Sequence, residues 1–244
     1  MENKTIISIK NLSKSFGNHN VLKDVNLTVN KGEDLVILGR SGTGKSVTIK
    51  CLVGLVEADK GEIKVFDTDI TKLKNNELNG IRSRIGFMFQ NGALYDSMSV
   101  RQNLAFTLKH HTKELTDDEI EIQIITALTN VGLVDAIDKM PAELSGGMRK
   151  RIALARTLII QPEIILYDEP TSGLDSITSR EISELILSIQ KKYKTTSIII
   201  THDMACAKLT ANRIMILNEG VIYAEGTYDE LEKSSNEWVR SFFI

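Results

Sequence analysis

The sequence predicts an α/β fold built on a largely parallel sheet, with an antiparallel β edge near the N-terminus and a helical insertion in the middle. Three observations predict it. A short apolar run at 35–38 passes through a glycine-rich loop into a helical stretch, the strand–loop–helix order of a phosphate-cradling turn. From Glu163 onward, short apolar runs alternate with amphipathic segments, the rhythm of parallel strands joined by helical crossovers. Near the N-terminus, Val25, Leu27 and Val29 alternate with Asn26, Thr28 and Asn30, the period of a half-exposed antiparallel sheet.

Taken in order, runs at 6–10 and 21–29 read as strands around a turn at 16–20, where Phe16 is either a core anchor, which its position favours, or a platform stacked on a nucleotide base. The loop Gly39-Arg40-Ser41-Gly42-Thr43-Gly44-Lys45-Ser46 fits G-x-x-x-x-G-K-[ST] without a mismatch and opens a helix at 47–55. Gly42 and Gly44 lack a Cβ, so their amides can converge on phosphate oxygens; Lys45 suits the β/γ-phosphates and the Ser46 hydroxyl suits Mg²⁺. A strand at 61–66, a short helix at 77–82 and a strand at 85–89 follow. The last ends at Gln90, a polar amide where open α/β sheets place ligand contacts, or else a surface residue. Helices at 100–109, 116–131 and 146–160 then run with hardly a strand signal between them. Thr116 and Glu119 fit a capping box, and Ile120, Ile124, Leu128 and Val131 line one face. Strands at 164–167, 197–200, 213–217 and 221–224, with helices at 177–190 and 204–209, complete the alternation. Asn218-Glu219-Gly220 marks a hairpin. The expectation is one domain over 1–244, with a helical subdomain at about 91–160 and a C-terminal tail at about 227–244.

Composition narrows the function. A formal net charge of −2 argues against a broad nucleic-acid footprint, and Arg149-Lys150-Arg151 with Arg156 reads as a solvated helix face. No apolar run is long enough to cross a bilayer, and Met1-Glu2-Asn3-Lys4 opens into strand-like sequence without a signal peptide, so the chain is expected in the cytoplasm. Cys51 and Cys206 read as reduced, packed thiols, and no transition-metal ligand set stands out around them or around His110-His111.

The chemistry sits at strand ends. Asp168 ends the run Ile164-Ile165-Leu166-Tyr167, and Glu169 follows; one carboxylate can serve Mg²⁺ while its neighbour polarises an attacking water. His202 ends another apolar strand, placed either to reach a γ-phosphate or as a solvated loop histidine. Leu144-Ser145-Gly146-Gly147 opens a helix and forms a second anion site. Two phosphate sites in one chain are reconciled if two copies meet head to tail, each completing the other's nucleotide pocket.

These segments together resemble the ABC-type ATPases, the nucleotide-binding subunits of membrane transporters, from about residue 6 to the C-terminus. The resemblance implies that Phe16 stacks on adenine, that Gly39 to Ser46 hold the ATP phosphates, and that Gln90 senses γ-phosphate and Mg²⁺. It further implies that Ser145, Gly146 and Gly147 form the signature loop, Asp168 and Glu169 the Walker B pair, Ser172-Gly173-Leu174-Asp175 a cross-dimer loop, and His202 the switch histidine. Phe16 stands where many members have Tyr, and Met148 where Gln usually follows the glycines. The stretch Gln90-Asn91-Gly92-Ala93-Leu94-Tyr95-Asp96-Ser97, with Met148-Arg149-Lys150-Arg151 and the ending Asn236-Glu237-Trp238-Val239-Arg240-Ser241-Phe242-Phe243, is similar to ATPases of Mla/Mce-type lipid transporters. That likeness implies an MlaE-like permease as partner, accessory cytoplasmic and substrate-binding subunits, phospholipid cargo, and a place on the cytoplasmic face of the inner membrane. The competing class is a soluble ABC-type ATPase of DNA repair or cofactor assembly, although no zinc-spaced cysteines or long coiled coil are present. A GTPase would carry a late Asn-Lys-x-Asp; Asn30-Lys31-Gly32-Glu33 precedes the loop instead. A regulator without turnover would not need both Glu169 and His202.

Overall fold

The computed structural model describes residues 4–112 and 115–243. Positions 1–3, on which the reading of a leaderless N-terminus partly rests, lie outside the described residues. The chain runs β1 (Thr5–Phe16), β2 (His19–Asn30), β3 (Asp34–Leu38), α1 (Lys45–Leu52), β4 (Lys60–Val65), β5 (Thr68–Asp69), α2 (Asn75–Arg82), β6 (Ile85–Met88), α3 (Val100–His111), α4 (Asp117–Asn130) and α5 (Gly146–Leu158). It continues through β7 (Ile164–Asp168), α6 (Ser176–Tyr193), β8 (Thr196–Thr201), α7 (Met204–Thr210), β9 (Arg213–Asn218), β10 (Val221–Gly226), α8 (Tyr228–Glu232) and α9 (Glu237–Arg240).

Two sheets result. The larger has the order β10-β9-β3-β8-β7-β6, parallel throughout except for β10 at its edge. The smaller, β2-β1-β4-β5, is antiparallel. Every residue of β3, β7 and β8 is buried, because both faces of the parallel sheet are covered. Alternate side chains therefore serve different cores. Val36, Leu38, Ile165, Tyr167 and Ile199 pack with the helices α3 to α7, while Leu35, Ile37, Ile164, Leu166, Ile198 and Ile200 pack with α1 and the antiparallel sheet.

Local signals explain the helix starts. Thr116 and Glu119 close the expected capping box on α4, and Ser99 with Gln102 does the same for α3. The first hairpin is longer than the runs at 6–10 and 21–29. β1 crosses register shifts near Asn11, which turns left-handed at φ 51°, and continues through polar Ser13, Lys14 and Ser15 because β2 supplies the ladder that its side chains do not advertise. The first helix begins two residues before the expected 47 and stops at Leu52, with Gly54 left-handed beyond it. The expected tail is folded. Thr227 and Asn236 cap α8 and α9, which bury Leu231 and Val239 in the helix-side core. Among the described residues no helix is long and apolar enough to cross a membrane. Cys51 and Cys206 are both buried free thiols.

Candidate functional site

The C-terminal edge of the parallel sheet organises the site. Leu38 pairs with Thr201 and Asp168 with Ile200, so the chain leaves β3, β7 and β8 side by side and Gly39, Glu169 and His202 emerge at one rim. Gly44 caps α1 with φ 102°, and a Cβ there would meet the Leu22 Cδ2 at 2.7 Å and the Val21 carbonyl at 2.9 Å. Only glycine closes this turn against β2. The Lys45 ammonium, almost fully buried, donates to the carbonyls of Gly39 at 2.8 Å and Arg40 at 3.0 Å, which draws the loop around it.

The acidic pair separates by conformation. Asp168, inside β7, accepts a hydrogen bond from the Ser46 hydroxyl at 2.7 Å. Glu169 turns left-handed, φ 50°, a conformation a non-glycine side chain holds only when its surroundings over-determine it. Its amide donates to the Ile200 carbonyl at 2.9 Å, and the turn aims the carboxylate across the rim. One oxygen lies 3.5 Å from the Lys45 ammonium and the other 2.8 Å from His202 Nδ1. His202 is thus neither free nor buried: its ring is 66% exposed yet anchored by Glu169.

An open cleft of about 630 Å³ brings together Phe16, Arg40, Ser41, Gly42, Gly44, Lys45, Ser46, Gln90, Glu169 and His202. Gly39 and Asp168 lie beneath it, joined to it through Lys45 and Ser46, and Thr43 donates from its hydroxyl to the Arg40 carbonyl behind the loop. Phe16 corrects the positional reading: it is 52% exposed at the mouth of the cleft, because it ends an edge hairpin with no layer above it. Ser145, Gly146, Gly147 and Asp175 do not line this cleft. Ser145 caps α5 by accepting from the Met148 amide at 3.2 Å, and Asp175 caps α6 by accepting from the amides of Ile177 and Thr178, both at 3.0 Å. The Thr178 contacts hold the Asp175 carboxyl below the usual range. A Cβ on Gly147 would stand 2.6 Å from Thr178 Cγ2, so this glycine lets the two helix starts approach each other.

Of the basic run read as a solvated face, Arg149 stays exposed and Arg151 and Arg156 are half-buried, but Lys150 is buried. Lys150 is 7% exposed and donates to the carbonyls of Gln90 at 2.6 Å and Glu169 at 3.1 Å, and to the Ser172 hydroxyl at 3.3 Å. Burial pushes its ammonium below the ordinary lysine value, while the charges of Glu169 and Asp168 act against that. Arg156 donates to the Gly92 and Ala93 carbonyls, Arg149 to the Leu144 carbonyl, and Arg151 pairs with Glu181. A signal for Lys150 was available. Residues 150, 153, 154, 157 and 158 recur at helical spacing and are all among the buried residues of α5, so the phase of the helix places Lys150 inward.

Residues 22–172 match the ABC transporter family. Over 236 residues the chain is 41% identical to the probable ribonucleotide transport ATP-binding protein mkl of Mycobacterium tuberculosis, a match covering 97% of this chain and 66% of that protein. The chain thus spans just under two thirds of that relative's length. It is 37% identical over 258 residues to the chloroplastic protein TRIGALACTOSYLDIACYLGLYCEROL 3 of Arabidopsis thaliana, covering 99% of this chain and 74% of that one. Among solved structures, the dimeric post-hydrolysis state of the ATP-binding cassette MJ0796 bound to ADP and Pi aligns with a TM-score of 0.84 at 31% identity, over 91% of this chain and 98% of that one.

Proposed function

From the premise that this chain belongs to the ABC transporter family, we propose that it is an ATP-hydrolysing subunit that works as a dimer beneath a membrane permease moving phospholipids or related lipids. The observation that carries the catalytic part is the position of Glu169, with one carboxylate oxygen toward Lys45 and the other on His202 at the rim of the cleft. The exposed ring of Phe16 offers a face for adenine, and the left-handed loop at Gly42 and Gly44 turns its amides toward phosphate. Lys45 neutralises charge on the β/γ-phosphates. Glu169 accepts the proton of the attacking water, and His202 orients that carboxylate and faces the γ-phosphate. The donor set of Ser46, Asp168 and the Gln90 side-chain carbonyl, all hard oxygens, fits Mg²⁺; these three residues would hold the ion, which would offset phosphate charge.

The α5 start, which shares no cleft with the loop in its own chain, is assigned to the nucleotide of a second copy, with Asp175 nearby at the start of α6; the dimeric state of the MJ0796 cassette supports that arrangement. Lipid cargo is favoured by the 90–97 loop and by a plant relative whose name is that of a glycolipid. The mycobacterial relative's name points to ribonucleotides instead. Purification from detergent-solubilised membranes separates these readings. Recovery of an integral-membrane partner with bound phospholipid is expected; a nucleotide-selective permease, or only soluble partners, would remove the lipid assignment.

A further inference from the structure

We propose that Lys150 is a positioning residue that ties helix α5 to the two loops presenting Gln90 and Glu169, so that a movement of the α5 start is delivered to the catalytic rim. The inference rests on the ATPase reading given above. An ammonium has three donors. Here they meet three acceptors on two segments: the Gln90 carbonyl after β6, and the Glu169 carbonyl and Ser172 hydroxyl after β7. The Glu169 carbonyl also accepts from the Ser172 amide at 3.2 Å, so Lys150 holds a turn already closed around that left-handed residue.

A buried ammonium at this depth costs free energy that an apolar side chain would not. What it supplies is a rigid connection. Lys150 sits one turn inside α5, whose capped start carries Ser145, Gly146 and Gly147. Six residues on, Arg156 grips the Gly92 and Ala93 carbonyls, so the loop after Gln90 follows the same helix at both ends. Docking of a second copy's nucleotide on the α5 start therefore displaces the carbonyl of Glu169 directly, without passing through the cleft.

The test compares the full chain with Lys150→Met and Lys150→Arg, reading ATP hydrolysis, affinity for a fluorescent ATP analogue, and amide hydrogen exchange. Lys150→Met is expected to lower kcat about tenfold to a hundredfold with KM and analogue affinity nearly unchanged, because a small displacement of reacting groups costs rate more than binding. Exchange should rise locally in 90–93 and 169–174, and Lys150→Arg, which keeps the donors, should recover most of the rate. Wild-type kcat in Lys150→Met, a loss shared equally by nucleotide affinity, or an arginine variant as impaired as the methionine one overturns the proposal. If Lys150→Met does not fold, Lys150→Gln, whose amide can donate twice, carries the same expectation with a smaller loss. Should the parent chain itself fail to hydrolyse ATP, the ATPase reading falls, while unchanged exchange in the two segments would separately dismiss the tie.

Discussion

At the scale of single residues, the proposed site divides binding from turnover. In the proposed site Lys45 contributes charge toward phosphate, so Lys45→Ala should weaken ATP binding by about ten- to a hundredfold, the value of one charge-assisted contact, in a direct binding titration. Glu169→Gln leaves the shape of the cleft but removes the proposed proton acceptor. It should bind ATP normally and lose about two to four orders of magnitude in hydrolysis rate. Away from the rim, Asp34 is buried at the start of β3, where it accepts from the Ser197 hydroxyl at 2.7 Å, and burial pushes its carboxyl up to about 6. A raised carboxyl favours the protonated folded state. Its contribution is fully present below the ordinary value of 3.8 and is lost as pH rises through about 6. Asp34→Asn should therefore be more stable than the parent by about 3 kcal/mol at pH 7, with the gap closing toward pH 4, in urea unfolding of both proteins.

At the scale of elements, α5 is the helix whose two ends have different duties. Its start does not line the cleft in its own chain, and its inner stripe holds the loops of that cleft through Lys150 and Arg156. Gly147 sets how closely it lies on α6. Gly147→Ala forces the Thr178 methyl aside, and overpacking of this kind costs about 1–3 kcal/mol. The variant should keep the monomer's ATP affinity, since Gly147 does not line the cleft, yet lose ATP-dependent dimerisation by light scattering. Equal dimerisation of Gly147→Ala and parent would argue against the α5 start as a cross-chain contact.

For the whole molecule, the proposed unit is two chains. Glu169→Gln with ATP and Mg²⁺ should accumulate as a dimer in multi-angle light scattering, and a chelator should return it to monomer; a variant that stays monomeric with saturating ATP would contradict the shared-pocket arrangement. Much of this was readable in one dimension. The strand order of chemistry along the chain, from Gly39 through Gln90 and Asp168 to His202, follows from apolar runs that each end in a polar residue. Such runs are long enough, and buried enough on both faces, to announce themselves. Phe16 and Lys150 depart from what position and composition predict because exposure depends on what lies above a residue in space.

The sequence alone therefore determined the α/β class and named the glycine-rich loop, the acidic pair and the histidine as the groups to look for, since these follow from local periodicity, glycine conformation and residue chemistry. Tertiary structure decided that Glu169 stands between Lys45 and His202, that Phe16 faces outward, and that Lys150 joins α5 to the Gln90 and Glu169 loops. Those relations connect residues far apart in the chain. They come into being only when parallel pairing sets β3, β7 and β8 edge to edge and the helices close over them.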